Sequence, residues 1–215
     1  MNDFFDNAAS VYETISYYSQ LYSYYGGFNI YLPEILVPAI NDVLLKGINS
    51  MFNASNGLIL DLACGTGMFT RGIAYNASKV YGADISFMML NKALEYSKFF
   101  NLDNISFLRA RAEVLPFREN IFDGVSCCGA LHLFSDVNKV LVEINRVLKR
   151  RGKLAVMTYL KNESLGIEYL NEFKRKNDNY FFEVDELENI IKKNGFNKFK
   201  YKIYGSIILF EAKKI

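Results

Sequence analysis

The segment Leu58-Ile59-Leu60-Asp61-Leu62 runs without a break into Ala63-Cys64-Gly65-Thr66-Gly67, and no other stretch constrains the fold as much. Five residues, four of them apolar, predict a short strand buried on both faces, and such strands belong to parallel sheets. Two glycines two positions apart let the chain turn in conformations that a Cβ would forbid. A helix is expected next, from about Met68 to Tyr75.

The alternation continues downstream. Lys79 to Ala83, ending at Asp84, reads as the second strand, and Ser86 as the N-cap of a helix through about Phe100. Asn104 to Leu108 and Gly124 to Cys128 read as the third and fourth strands. Asp136 to Leu148 reads as a helix with Val140, Ile144 and Val147 on one face, and Lys153 to Tyr159 as the fifth strand. Strands separated by helices imply a parallel sheet covered on both sides. Val184 to Lys193 then reads as a helix stopped by Gly195. Phe199 to Tyr204 and Ile207 to Ala212, joined by Gly205-Ser206, read as a hairpin. The expected fold is α/β: a Rossmann-like, doubly wound, mostly parallel seven-stranded sheet that ends in an antiparallel hairpin.

The 215 residues are expected to form one domain. Its parts are an N-terminal helical segment over 1–50, a ligand-binding core over 58–160, and C-terminal helices and hairpin over 161–215. Seven of the 15 tyrosines fall within the first 31 residues. Tyr18, Leu21, Tyr22 and Tyr25 share a helix face, Gly26-Gly27 stops that helix, and Pro33 opens another to about Leu45. This aromatic stripe is either ordinary core packing or a lid over the ligand edge.

Composition narrows the partners. Lys+Arg is 25 against 23 Asp+Glu, a net +2, where a nucleic-acid binder shows a basic stripe or a larger excess. The cluster Arg146, Lys149, Arg150, Arg151 and Lys153 reads as the solvated end of a helix, with an anionic partner as the alternative. No apolar stretch reaches the roughly 18 residues of a membrane span. The opening MNDFFDNAAS has neither the basic nor the apolar region of a signal peptide. The three cysteines, Cys64, Cys127 and Cys128, make no disulfide framework, and with His132 as the single histidine no metal site is expected. Free thiols in apolar segments point to the cytoplasm.

The glycine loop opens a helix, whose N-terminus offers donors and partial positive charge. Asp84 ends the second strand seventeen residues after Gly67, where a carboxylate can accept both hydroxyls of a ribose. That spacing alone fits a nicotinamide site or an adenosyl site. Asp61, at the end of the first strand, would repel a pyrophosphate but attract a ligand carrying an ammonium and a sulfonium. Position 70 is Thr70, so the third glycine of G-x-G-x-x-G is missing. Both features favour S-adenosylmethionine over NAD.

Ile59 to Gly67 resembles the first motif of class I S-adenosylmethionine-dependent methyltransferases. Gly82-Ala83-Asp84-Ile85-Ser86-Phe87-Met88-Met89-Leu90 resembles their second-strand motif, and Ala112-Glu113-Val114-Leu115-Pro116-Phe117 their A-E-x-L-P-F stretch. Phe122-Asp123-Gly124-Val125 with Ala130-Leu131-His132 resembles the fourth-strand region, and Glu143 to Lys149 the E-x-x-R-V-L-K helix. The subgroup looks like small-molecule and quinone C-methyltransferases. The resemblance implies cofactor contacts from Asp61, Ala63, Gly65, Thr66, Gly67, Asp84, Ile85, Met89, Ala112, Glu113, Cys128 and Gly129. Tyr12 joins them because Phe5, Asp6, Ala8 and Tyr12 loosely resemble the opening of quinone C-methyltransferases. Two positions depart: Arg111 stands where an acid usually accepts from the adenine amino group, and Arg150-Arg151-Gly152 replaces a P-G-G turn.

The implied activity is direct in-line methyl transfer to a small-molecule acceptor. His132, four residues past Cys128, is the candidate general base for an O–H or acidic C–H acceptor. Plainer roles stand beside these: Asp61 capping the loop, Cys64 packing as a small hydrophobe, His132 as a structural ring. Two other functions stay open, a cofactor-binding regulatory module without acceptor chemistry and an RNA methyltransferase using the basic cluster.

Overall fold

The computed structural model describes residues 57–161, 181–204 and 207–215. The tyrosine-rich helix, the lid reading and Tyr12 lie outside the described residues. Seven strands form one sheet: β1 (Leu58–Leu62), β2 (Lys79–Asp84), β3 (Ile105–Arg109), β4 (Phe122–Cys128), β5 (Leu148–Tyr159), β6 (Phe196–Tyr204) and β7 (Ile207–Lys214). Their order is β3-β2-β1-β4-β5-β7-β6. β1 to β5 pair in parallel, whereas β7 pairs antiparallel with both β5 and β6. The expected sheet and terminal hairpin are both present.

Among the described residues the helices are α1 (Met68–Ala74), α2 (Phe87–Phe99), α3 (Val137–Val147) and α4 (Val184–Lys193). Each starts or stops where local chemistry dictates. Ser86 Oγ accepts from Met89 N–H at 3.2 Å and caps α2, and Asp136 caps α3 through Lys139 N–H at 3.0 Å. Glu183 and Glu186 form a reciprocal capping box on α4, and Gly195 leaves that helix at φ +85°.

Period-two alternation sorts the strand side chains into two apolar layers. Ile59, Val80, Ala155, Met157, Ile207 and Leu209 pack with Phe69 and Ile73 of α1. Leu60, Leu62, Val125, Leu154, Val156, Ile208 and Phe210 pack with Val140 and Ile144 of α3 and Leu187 and Ile191 of α4. The sheet is therefore covered on both faces, which is why its strands read as nearly continuous apolar runs.

Strand ends depart by a few residues from the sequence reading. β4 begins at Phe122 and β5 at Leu148, because those two residues pair ahead of an irregularity in the β4–β5 register. Within it Arg151 takes φ +64°, a left-handed conformation that glycine adopts without strain.

Met89, Leu90, Ala93 and Ser97 form the buried stripe of α2. Among the described residues Ser97 Oγ has no hydrogen-bond partner. A desolvated, unpaired hydroxyl costs on the order of 1–3 kcal/mol, and alanine is also the better helix former. Ser97→Ala should therefore raise the melting temperature by about 2–4 °C, the worth of roughly 1 kcal/mol in a chain this size. A fall on thermal denaturation would show that the hydroxyl is satisfied in solution.

Candidate cofactor site

The chain lays β1, β2 and β3 outward to one side, then crosses to place β4 and β5 on the other side of β1. The order reverses between β1 and β4, and in open α/β sheets ligands bind beyond the carboxyl ends of the strands at such a switch point. Asp61 sits there, with Ser126 of β4 as its register partner.

Asp61 is 1% exposed. Its Oδ1 accepts from Ser126 Oγ at 2.6 Å and its Oδ2 from Thr70 Oγ1 at 2.5 Å. Burial pushes its carboxyl up to about 6, with the nearby Asp84 carboxylate adding to the rise and the Ser126 and Thr70 hydrogen bonds opposing it. Among the described residues no lysine or arginine forms an ion pair with it. A buried carboxylate without a cation beside it is costly, and a cationic ligand would relieve that cost.

The loop after β1 alternates handedness, with Ala63 at φ +54°, Gly65 at +54° and Gly67 at +76°. The two glycines differ in purpose. A Cβ on Gly65 would meet nothing within 4 Å, so this residue faces open space. A Cβ on Gly67 would lie 3.1 Å from Ala93 Cβ and 3.3 Å from the Phe107 ring, so packing by itself already requires a glycine here, beside the ligand approach expected for both. Phe107 also lies against Gly82, where a Cβ would come within 2.6 Å of its ring.

Asp84, 8% exposed, holds the loop in place. Its Oδ2 accepts from Gly65 N–H at 2.8 Å and its Oδ1 from Ser86 N–H at 2.9 Å. Cys64 N–H donates to Ala83 O at 3.1 Å and Gly67 N–H to Cys64 O at 2.9 Å. The loop amides not used in these bonds are those of Ala63 and Thr66. An open glycine face, spare loop amides and two acids fit an adenosyl amino acid better than a pyrophosphate.

Past Asp84 a groove of about 340 Å³ is lined by Ile85, Arg109, Ala110 and Arg111. Met89 is buried beside the cap of α2. Ala112 is buried, and the Glu113 carboxylate lies 3.4 Å from Arg111. The turn carrying them is clamped by α3. Glu143 Oε1 accepts from Leu115 N–H at 2.7 Å, while Arg146 donates to Phe117 O at 2.9 Å and Leu115 O at 3.2 Å. Glu143 and Arg146 are themselves paired at 2.7 Å, which holds the Glu143 carboxyl below its ordinary range. Arg146 is thus a clamp and not the solvated helix end expected of it, and Lys149 pairs with Asp123 at 2.7 Å.

At the end of β4, Cys128 is partly exposed, and Gly129, at φ +80°, donates its N–H to Met157 O at 2.9 Å. Burial pushes all three thiols up, Cys64 and Cys127 included, consistent with packing and not nucleophilic roles. His132 follows on a short 3₁₀ turn, Leu131–Leu133, and is 2% exposed. Its Nδ1 lies 3.3 Å from Thr158 Oγ1, and its ring packs edge-on to Tyr159 at 4.7 Å and stacks on Phe181 at 6.2 Å. Burial pulls its pKa down to about 3, so the ring is neutral at pH 7 but weakly basic, which counts against the general-base role.

Sequence inspection missed three contributors: Ser126, Phe107 and the Glu143–Arg146 clamp. Thr70 was visible only as a missing glycine, whereas its hydroxyl is what that position supplies. The signal for Ser126 is a hydroxyl residue inside an apolar strand.

A family profile described as a methyltransferase domain matches residues 60–156. A ubiquinone/menaquinone biosynthesis C-methyltransferase, UbiE, of Wigglesworthia glossinidia brevipalpis is 31% identical over 193 residues, covering 82% of this chain and 73% of that protein. An uncharacterized chloroplastic methyltransferase of Arabidopsis thaliana is 31% identical over 170 residues, covering 75% of this chain and 48% of that protein. The chain spans about half the length of several curated relatives that it matches. A solved S-adenosylmethionine-dependent methyltransferase from Aquifex aeolicus shares the fold, with a TM-score of 0.67 at 20% identity over 81% of this chain and 93% of that one. Identity sustained over most of both the UbiE protein and this sequence is a mark of common descent, and the chain belongs to the class I S-adenosylmethionine-dependent methyltransferases.

Proposed function

We propose that this methyltransferase binds S-adenosylmethionine along the carboxyl edge of β1, β2 and β4 and methylates a small-molecule acceptor, at carbon as the UbiE relative's name describes. The observation that carries the cofactor assignment is the buried Asp61 carboxylate, with no cation beside it among the described residues, across the glycine loop from Asp84. Asp84, held by two amides at the end of β2, is the carboxylate placed to meet a ribose diol. The Thr66 amide and the open face of Gly65 receive the amino-acid end, whose ammonium offsets the charge of Asp61. Ile85, Ala110 and Arg111 flank the base, with Ala112 and Glu113 on the clamped turn behind it.

When bound, the cofactor supplies an electrophilic methyl on a sulfonium. The chain's task is to hold the acceptor atom about 3 Å from that methyl, in line with the sulfur, and to keep water out. A carbon acceptor would also have to give up a proton. His132 is neutral, and its low basicity suits the ring better to walling the acceptor side than to taking that proton. Tyr159 and Phe181 extend that wall with apolar rings, which suits a flat, weakly polar acceptor. The lid reading of residues 1–31, with Tyr12 at the cofactor, remains the proposal for what covers this edge.

The assignment is tested by calorimetry with S-adenosylhomocysteine and with NADH. S-adenosylhomocysteine should bind and NADH should not. Asp84→Ala should weaken binding by tenfold or much more, since two charge-assisted hydrogen bonds are worth about 1.5–3 kcal/mol each. Tighter binding of NADH, or an unchanged dissociation constant in folded Asp84→Ala protein, would overturn the reading.

Asp61 sets function against stability. Its folded pKa of about 6 lies above the ordinary 3.8, so from pH 4 to 6 the native state holds a proton that the unfolded chain has released. Its contribution is therefore most favourable below pH 4, declines as pH rises through 6, and is level above that. Asp61→Asn should remove this slope and stabilise the ligand-free protein at pH 7, by an amount on the order of 1–3 kcal/mol, while weakening S-adenosylhomocysteine binding. Denaturant titrations of both proteins at pH 4.5 and 7 measure the difference, and a variant less stable than wild type at pH 7 would contradict it.

A further inference from the structure

Arg71 follows Thr70 on α1. It is 6% exposed, and among the described residues no carboxylate pairs with it. A buried guanidinium needs partners, and Arg71 has two kinds. Its Nη1 donates to the carbonyl of Thr66, in the glycine loop, at 2.8 Å. Its planar face lies 4.9 Å from the ring centre of Tyr96 and 5.6 Å from that of Phe100, at the far end of α2.

These contacts close a circuit. The loop is bound to Asp84 through Gly65 N–H, Asp84 is bound to Ser86 N–H, and Ser86 caps the start of α2. The end of α2 carries Tyr96 and the adjoining Phe100, which grip Arg71, and Arg71 returns to the loop at Thr66. The Thr66 carbonyl belongs to the peptide between Thr66 and Gly67, whose N–H end donates to Cys64 O at 2.9 Å. Arg71 supplies the side-chain donor that holds the other end of the same peptide, so that both ends are fixed.

We propose that Arg71 is a positioning residue for the cofactor: held between Tyr96 and Phe100, it fixes the Thr66–Gly67 peptide and thereby the aim of the loop amides relative to Asp84. The inference rests on the reading of loop and Asp84 as the cofactor cradle. Lysine would not replace it, because an ammonium is a point charge without a face to stack or a fork to fix direction.

The test is calorimetry of the full chain with S-adenosylhomocysteine for wild type, Arg71→Met and Arg71→Lys, with the melting temperature of each measured alone. Arg71→Met should weaken binding about tenfold or more, the worth of one charge-assisted hydrogen bond, at a stoichiometry near one. Arg71→Lys should recover little of it. A purely structural role would instead lower the melting temperature and the stoichiometry and leave the dissociation constant of the folded fraction within twofold, which would overturn the proposal. Should Arg71→Met not fold, Tyr96→Leu and Tyr96→Phe decide. The leucine variant should bind several-fold more weakly and the phenylalanine variant like wild type, whereas equal affinity for both would overturn the proposal. A wild-type chain that binds no S-adenosylhomocysteine would instead sink the cofactor reading on which the inference stands.

Discussion

A carboxylate buried with no counter-charge among the described residues governs this structure. Asp61 lies where the strand order reverses, and the residues around it exist to make that tolerable. Ser126 and Thr70 donate hydroxyls to it from opposite sides, one from β4 and one from α1. Those bonds join the central strands to the helix that follows the glycine loop. The ligand-free chain carries an electrostatic cost at the point where a cationic amino-acid group would remove it. Such a site prefers its ligand through the removal of that cost as well as through new contacts.

Asp84 is the second half of the arrangement. It is near enough to Asp61 to raise its proton affinity, yet two backbone amides satisfy it. The two acids therefore divide the work: Asp84 organises the loop and presents fixed acceptors, and Asp61 supplies the unbalanced charge. The base end is organised differently, by a turn that Glu143 and Arg146 grip from α3. Arg111 at that groove is a donor where the family resemblance leads one to expect an acid, so in the proposed site the contact to an adenine amino group would fall to Glu113, to backbone or to water.

Much of this was legible in the sequence, because the relevant signals are local. The strand at Leu58–Leu62, the left-handed glycines, the Ser86 cap and the Gly195 stop each follow from neighbouring residues. What escaped depends on distance. Ser126 reaches Asp61 from 65 positions away, and Arg146 reaches Leu115 from 31, and no local pattern encodes either contact. Gly67 was legible as a required glycine, but its reason, contact with Ala93 and Phe107, needs the packed structure. His132 shows the same limit. Its place past β4 was readable, but the burial that makes its ring weakly basic comes from Thr158, Tyr159 and Phe181.

The central claim is that the charge on Asp61 is completed by the cofactor, and proton release on binding tests it most directly. Calorimetry of S-adenosylhomocysteine binding in two buffers of different ionisation heat, at pH 6 and again at pH 8, counts the protons exchanged. An ammonium drawn to Asp61 should expel the proton that Asp61 holds in part at pH 6, so a fraction of a proton should be released there and almost none at pH 8. Tight binding with no proton release at pH 6 would mean that the ligand leaves Asp61 as it found it, and would contradict the account.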